Sequence, residues 1–100
     1  MTLDEAKLYL RIDGDAEDSL VESLIASAEA YLRMAVDSYD KNREHEDFSH
    51  LADMVMRLLV AENYENRATG ADAQKDYSYS VRSMITQLQN WVPPEEVTES

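Results

Sequence analysis

The sequence predicts an all-α protein, a small bundle of about four helices packed around one core. Its 100 residues suit a single domain, and they include only two Gly and two Pro. A sandwich or barrel of strands would need turn residues at much shorter intervals. Apolar residues recur at steps of three and four along most of the chain, and this spacing places them on one face of a helix.

The first helix is predicted to begin at Leu3. Thr2 and Glu5 have the spacing of a capping box, in which each side chain accepts a hydrogen bond from the other residue's backbone N–H. Leu3, Ala6 and Leu10 would then share the face that packs on the core. A short amphipathic helix follows from this pattern.

The segment after this helix predicts a tight turn. Gly14 can adopt a positive φ, and Asp15 is a suitable N-cap for the next helix. Glu17 and Asp18 would lie in the first turn of that helix, where the macrodipole favours acidic side chains.

A long amphipathic helix is predicted over roughly residues 16 to 40. Its apolar stripe comprises Leu20, Val21, Leu24, Ile25, Ala28, Tyr31, Leu32, Ala35, Val36 and Tyr39. Residues 40–47 contain no apolar side chain, which predicts an exposed and mobile linker. Asp47 or Ser49 would cap the next helix.

The third and fourth helices are predicted from similar patterns. The third has its apolar residues at Leu51, Met54, Val55, Leu58, Leu59, Val60, Ala61 and Tyr64. It should end near Arg67, before Gly70, and residues 70–78 form a polar loop. The fourth is capped by Ser78 or Ser80 and carries Val81, Met84, Ile85, Leu88 and Trp91.

The last helix is predicted to end at Val92, because Pro93 and Pro94 follow. The chain therefore divides into a helical domain, residues 1–92, and a disordered acidic tail, residues 93–100.

Charge limits the classes of partner. The chain has 21 Asp and Glu against nine Lys and Arg, a net charge of -12, which opposes tight binding to DNA or to anionic lipid. It has no Cys, no basic-then-apolar leader and no run of apolar residues long enough for a membrane span. We expect a soluble protein without disulfides.

Catalytic and metal-binding motifs are not recognisable. The acidic run from Asp13 to Asp18 resembles the start of a calcium loop, but Asp18 stands where Gly is required and Leu24 where the closing Glu is required. His45 and His50 are five apart, and two histidines do not complete a zinc site. We expect no enzyme activity and no catalytic, cofactor-binding or metal-binding residues.

Tyrosines are the remaining candidates for function, because amphipathic aromatic side chains are favoured at protein interfaces. Tyr9, Tyr31, Tyr39 and Tyr64 fit core positions of the predicted helices. Tyr77 and Tyr79 instead precede the last helix. These two are predicted as interface residues, with local packing as the alternative.

Three stretches of the chain resemble the small phage head-tail connector proteins, also described as head-completion adaptors or putative DNA-packaging proteins. They are Leu3 to Asp13, Asp15 to Leu32, and Leu58 to Arg67, which includes the motif Ala61-Glu62-Asn63-Tyr64-Glu65-Asn66-Arg67. Neither the stretch from Leu3 to Asp13 nor the motif that ends at Arg67 is a catalytic signature. The similarity covers nearly the whole chain.

The resemblance implies a non-enzymatic α-helical subunit of a phage or prophage that forms a ring beneath the portal. Its partners would be neighbouring copies, the portal protein and a tail-side completion protein, and DNA would pass through the channel without tight binding. The protein would be found in the virion neck, or in the host cytoplasm during assembly. An acidic helical regulator, such as a DNA mimic that binds a basic protein, is the alternative.

Overall fold

A computed structural model describes residues 1–69 and 78–93, with the side chains of residues 67–69 excepted. Within these ranges the chain is all-α and has no β-strand, which confirms the predicted fold class. The helices are α1 (Leu3–Leu10), α2 (Asp18–Ala35), α3 (Tyr39–Asn42), α4 (Glu46–Thr69) and α5 (Tyr79–Asn90).

The start of α1 is the predicted one. The backbone N–H of Glu5 donates to the Thr2 hydroxyl at 3.1 Å, and the backbone N–H of Thr2 donates to Glu5 Oε1 at 2.9 Å. The helix ends at Arg11, which adopts the left-handed conformation with φ 61°. Two donors left open at the helix start are therefore satisfied within the capping box.

The turn between α1 and α2 differs from the prediction in its cap. Gly14 has the expected positive φ of 79°. The prediction that Asp15 caps α2 was wrong, because the N-cap is Glu17, whose side chain makes no capping hydrogen bond. Asp15 contributes its backbone oxygen, which accepts from the N–H of Asp18 at 3.2 Å.

The second helix ends at Ala35, earlier than the predicted residue 40. Val36 is extended and Ser38 is left-handed, with φ 57°. The apolar spacing continues through this break, since Val36 and Tyr39 are both buried. Burial of these two residues, rather than a continuous helix, explains the pattern.

The predicted linker is largely helical rather than a loop, although five of its eight residues, Asp40, Lys41, Glu44, Glu46 and Asp47, are exposed as expected. Residues 39–42 form α3, and the polar Asn42 is buried. The Arg43 side chain donates to Ser49 O at 2.9 Å, Ser49 Oγ at 3.0 Å and Asp53 Oδ1 at 2.9 Å. These bonds tie α3 to the first two turns of α4.

The fourth helix, α4, is the centre of the bundle. It packs against α1, α2 and α5, and α1 and α5 each also contact α2. It begins at Glu46, ahead of both predicted caps, and continues through Thr69. The predicted stop at Gly70 lies outside the described residues. Its most buried side chains are Phe48, Ala52, Val55, Met56, Leu59 and Val60.

The last helix begins as predicted and ends two residues early. Ser78 is the N-cap, and its hydroxyl accepts from the N–H of Val81 at 3.3 Å. The helix ends at Asn90, and Trp91 packs against the core from the extended chain that follows. Pro93 is buried, whereas the remaining tail residues, 94–100, lie outside the described part. The division at residue 92 therefore stays a prediction.

Candidate functional site

The candidate site is a set of exposed surfaces. Throughout residues 1–69 and 78–93, no three His, Asp or Glu side chains are grouped so that they could hold a metal ion. Asp13 and Asp15 are exposed in the turn after α1. The fold leaves several large apolar side chains at the surface, among them Leu8, Met34 and Tyr79.

Tyr79 is the predicted interface residue that the structure describes. It is the first residue of α5, which Ser78 caps, and 77% of its side chain is exposed. Together with Arg82, Ser83, Thr86 and Gln87 it lines a shallow hollow on the outer face of α5. Local packing does not explain this tyrosine. Tyr77 lies outside the described residues. The structure therefore does not describe a contact between Tyr77 and Tyr79.

The outer face of α5 is also unusual in charge. From Ser78 to Pro93 the sequence contains no Asp or Glu, and its only charged residue is Arg82. In a chain with 21 acidic residues, this face therefore adds no negative charge of its own. We name this surface, formed by Tyr79, Arg82, Ser83, Thr86 and Gln87, the α5 surface.

A second surface lies between α1 and α4. Met1, Glu5, Leu8, Tyr9, Asp53 and Arg57 line an open groove of about 540 Å³, which we name the α1–α4 groove. Leu8 is 82% exposed and Tyr9 is 45% exposed. The prediction that Tyr9 belongs to the core was wrong, because Leu3, Ala6 and Leu10 turn the other face of α1 inward.

A third surface is the outer face of α2 near its C-terminal end. Met34 is 87% exposed, and Tyr31, one turn earlier, is 42% exposed. The prediction of a core position for Tyr31 was therefore wrong as well. The neighbouring residues on this face are small and uncharged, namely Ser23, Ala26, Ser27 and Ala30. We name this surface the α2 face.

Tyr39 and Tyr64, the other two tyrosines assigned to the core, pack inward as predicted. Tyr39 is buried, with its ring 5.8 Å from that of Phe48. Tyr64 is half-buried, and its hydroxyl donates to Glu17 Oε1 at 2.6 Å. That hydrogen bond links α4 to the residue that precedes α2.

Much of the positive charge is held by carboxylates within the bundle. Lys7 Nζ lies 2.7 Å from Asp18, and Arg33 Nε lies 3.0 Å from Asp40. Hydrogen bonding to Asp18 raises the pKa of Lys7, and hydrogen bonding to Asp40 raises the pKa of Arg33. These cations are therefore committed to internal ion pairs, and the excess of carboxylates determines the sign of the surface.

Sequence reasoning missed the α1–α4 groove and the α2 face, although a signal for each was present. Leu8 and Tyr9 fall outside the three-four spacing of Leu3, Ala6 and Leu10. On α2, the solvent-facing side carries serine, alanine and methionine where an acidic chain usually places charges. In both cases, apolar or uncharged residues lie on the side of a helix that usually carries polar residues.

Comparison with known proteins identifies the family. Residues 1–90 match the family described as phage gp6-like head-tail connector protein. Searches among curated proteins and among solved structures gave no match. The described part of the chain contains no helix with the length and apolar character needed to cross a membrane. Since the match runs from the first residue to the end of α5, the chain belongs to the phage gp6-like head-tail connector protein family.

Proposed function

We propose that this chain is a structural subunit of the phage neck that assembles as a closed ring below the portal. Membership of the head-tail connector family carries this proposal. The ring would continue the channel through which the genome passes and would receive the tail-side completion protein. Binding and geometry, without catalysis, would perform this role.

The excess of acidic residues suits a channel through which DNA must slide. At a net charge of -12, the subunit repels the phosphate backbone at close range. Lys7, Arg33 and Arg43 are each held by a carboxylate at 3.0 Å or less, so they are poorly placed to bind phosphate. Free lysines along a channel would instead retain the DNA.

Three surfaces are available for the three contacts that such a subunit needs. Its two neighbours in the ring would occupy two different faces, because a closed ring is built from heterologous contacts. The third contact would be with the portal or the tail-side protein. We assign that contact to the α5 surface around Tyr79, together with Tyr77, since it combines an exposed aromatic ring with the absence of acidic residues.

The experiment that tests the ring is native mass spectrometry of the purified chain over a wide range of concentrations, alone and with the portal protein of the same phage. We expect one closed oligomer of many copies, either free or bound to the portal. A chain that stays monomeric in both conditions would overturn the proposal. A stable dimer that captures a basic DNA-binding protein would favour the regulator instead.

Partner binding is tested with the double variant Tyr77→Ala and Tyr79→Ala. We expect the variant to keep the helical content and the oligomeric state of the parent chain and to bind the portal or the tail-side protein more weakly. Val92→Ala, an exposed apolar residue outside the three named surfaces, is the matched control. Unchanged binding to both partners would remove these tyrosines from the interface.

A further inference from the structure

We propose that neighbouring copies join head to tail, with Met34 on the α2 face of one copy seated in the α1–α4 groove of the next. This inference rests on the proposed self-assembly and specifies the surfaces that would carry it. It requires an apolar groove that can receive a side chain, a local charge in the groove that attracts an acidic partner, and a matching projection elsewhere on the molecule.

The groove presents apolar side chains beside charged ones. Leu8 is 82% exposed, and Met1 and Tyr9 line the groove beside it. Met54, which is one turn before Arg57 on α4, is also 46% exposed. A volume of about 540 Å³ exceeds that of a single methionine side chain, so the groove has room for a small group of residues.

One cation of the groove, Arg57, can attract a carboxylate of a partner. Asp53 is bound by Arg43 at 2.9 Å, and Glu5 accepts the capping hydrogen bond from Thr2. The charge of Asp53 is thus balanced by Arg43, whereas Glu5 keeps its negative charge. Arg57 is exposed and forms no ion pair in the described part of the chain. The groove therefore offers a cation beside apolar side chains, in a molecule whose overall charge is strongly negative.

The projection is the C-terminal end of α2. Met34 is the most exposed large apolar side chain that the structure describes, at 87%. Ala30 and Ser27, which precede it on the same side of the helix, are small enough for another helix to approach closely. Asp37, three residues after Met34, is exposed and provides a carboxylate for Arg57.

We expect a second copy in this groove for two reasons, one of charge and one of position. Copies with a net charge of -12 repel one another, so a stable contact has to place neutral faces together and pair a cation with an acid. No residue of α2 lines the groove. Met34 also lies opposite Leu32 and Ala28, which are buried in the bundle. The two surfaces therefore share no residue, so a contact between them is heterologous.

Engineered cysteines test the contact directly, since the chain has no natural Cys. One variant carries Met34→Cys and another carries Leu8→Cys, and a short bis-maleimide is added to each variant alone and to their mixture. We expect a covalent heterodimer in the mixture. The double variant should give a ladder of covalent oligomers. A variant with Ser19→Cys is the control and should not cross-link to Leu8→Cys, because Ser19 is exposed at the opposite end of α2, about 22 Å from Met34 along the helix.

A charge exchange tests the pairing of Arg57 with Asp37. Arg57→Asp and Asp37→Arg should each raise the concentration at half-assembly by about tenfold. Combining the two substitutions in one chain should restore assembly. Arg82→Asp, an exposed arginine outside both surfaces, is the matched control for self-assembly.

The outcomes separate this inference from the proposed function. Oligomers that form without the mixed cross-link overturn the contact and leave ring assembly standing. A chain that neither assembles nor cross-links overturns both. If the mixed cross-link forms but the charge exchange does not change assembly, the pairing of Arg57 with Asp37 is overturned. The placement of Met34 in the groove then still stands.

Discussion

Phe48 shows how a single residue can hold separate segments together. It is fully buried at the start of α4, and its ring lies 5.8 Å from Tyr39 and 5.2 Å from Trp91, both in edge-on arrangements. It therefore joins α3, α4 and the segment after α5. The sequence pattern gave no reason to include it in the core, because it follows eight residues without an apolar side chain.

Removal of this ring should be among the most costly single changes in the chain. We expect Phe48→Ala to lower the free energy of unfolding by about 3–5 kcal/mol, since it leaves a cavity bordered by two aromatic rings. Phe48→Leu should cost less, because it refills much of the volume. Urea denaturation followed by circular dichroism measures both. A loss below about 1 kcal/mol for the alanine variant would contradict the central position of Phe48.

Two tyrosines predict a loss of stability at alkaline pH. Burial raises the pKa of Tyr39, and hydrogen bonding to Glu17 raises the pKa of Tyr64. A folded-state pKa above the unfolded value means that the folded state holds its proton longer. The stabilisation is then complete below the ordinary tyrosine pKa of about 10 and is lost as the pH rises through the folded-state values.

The expected result is a fall in the free energy of unfolding above about pH 10, and a shallower fall in a variant with both Tyr39→Phe and Tyr64→Phe. Tyr39→Phe alone should not destabilise at neutral pH, because the Tyr39 hydroxyl is buried without a hydrogen bond in the described structure. Urea denaturation at several pH values provides the measurement. Equal slopes for parent and double variant would show that other groups control the alkaline transition.

At the scale of elements, the boundaries set by local chemistry were predicted well and those set by tertiary packing were not. The capping box at Thr2 and the cap at Ser78 depend on residues within one turn, so the sequence contains the whole signal. The end of α2 depends on the left-handed Ser38 and on the burial of Tyr39 beneath α4. No residue type near this point of the sequence indicates that the helix ends there.

The segment 40–47 illustrates the same limit. Its composition is polar, and polar segments are usually solvated. Here Arg43 makes hydrogen bonds to Ser49 and Asp53, and its guanidinium lies 5.6 Å from the centre of the Tyr39 ring. These partners lie four to ten residues away along the chain. Their meeting depends on the packing of α3 against α4, which periodicity does not describe.

The order of α3 should therefore depend on Arg43. We expect Arg43→Ala to lower the free energy of unfolding by about 1–3 kcal/mol and to increase amide hydrogen exchange in residues 39–45 more than in α2. Arg43→Lys should recover only part of the loss, because lysine lacks the planar fork. Exchange monitored by mass spectrometry distinguishes the segments. Uniform exchange across the chain would contradict a local anchoring role.

The candidate surfaces were predicted less completely than the fold. Tyr79 was singled out because it lies at a clear helix start, and its role at an interface stays a prediction, whereas the groove needs α1 and α4 to come together in space. Tyr9 and Tyr31 were assigned inward on residue type, although each lies toward the solvent side of its helix. An aromatic residue supports a core prediction only when its position around the helix axis lies on the apolar face.

At the scale of the whole molecule, charge opposes the proposed self-assembly. Each copy carries a net charge of -12, while the proposed contact between copies gains one pair, Arg57 with Asp37. Salt shortens the range of both interactions, from about 30 Å at 0.01 M to about 8 Å at 0.15 M. Repulsion between the many acidic residues acts over the whole surface, so screening weakens this repulsion more than it weakens the single ion pair. Added salt should then promote assembly.

A salt titration therefore distinguishes the connector from an acidic regulator. For a connector that self-assembles, the concentration at half-assembly should fall as NaCl rises from low to physiological concentration, as measured by sedimentation velocity. For a DNA mimic, affinity for a basic partner should fall over the same range, because attraction between opposite charges is screened. The apolar part of the contact, around Met34 and Leu8, is not weakened by screening. Assembly that weakens with salt would mean that charge attraction holds the copies together, and the neutral faces of α2 and α5 would then need another explanation.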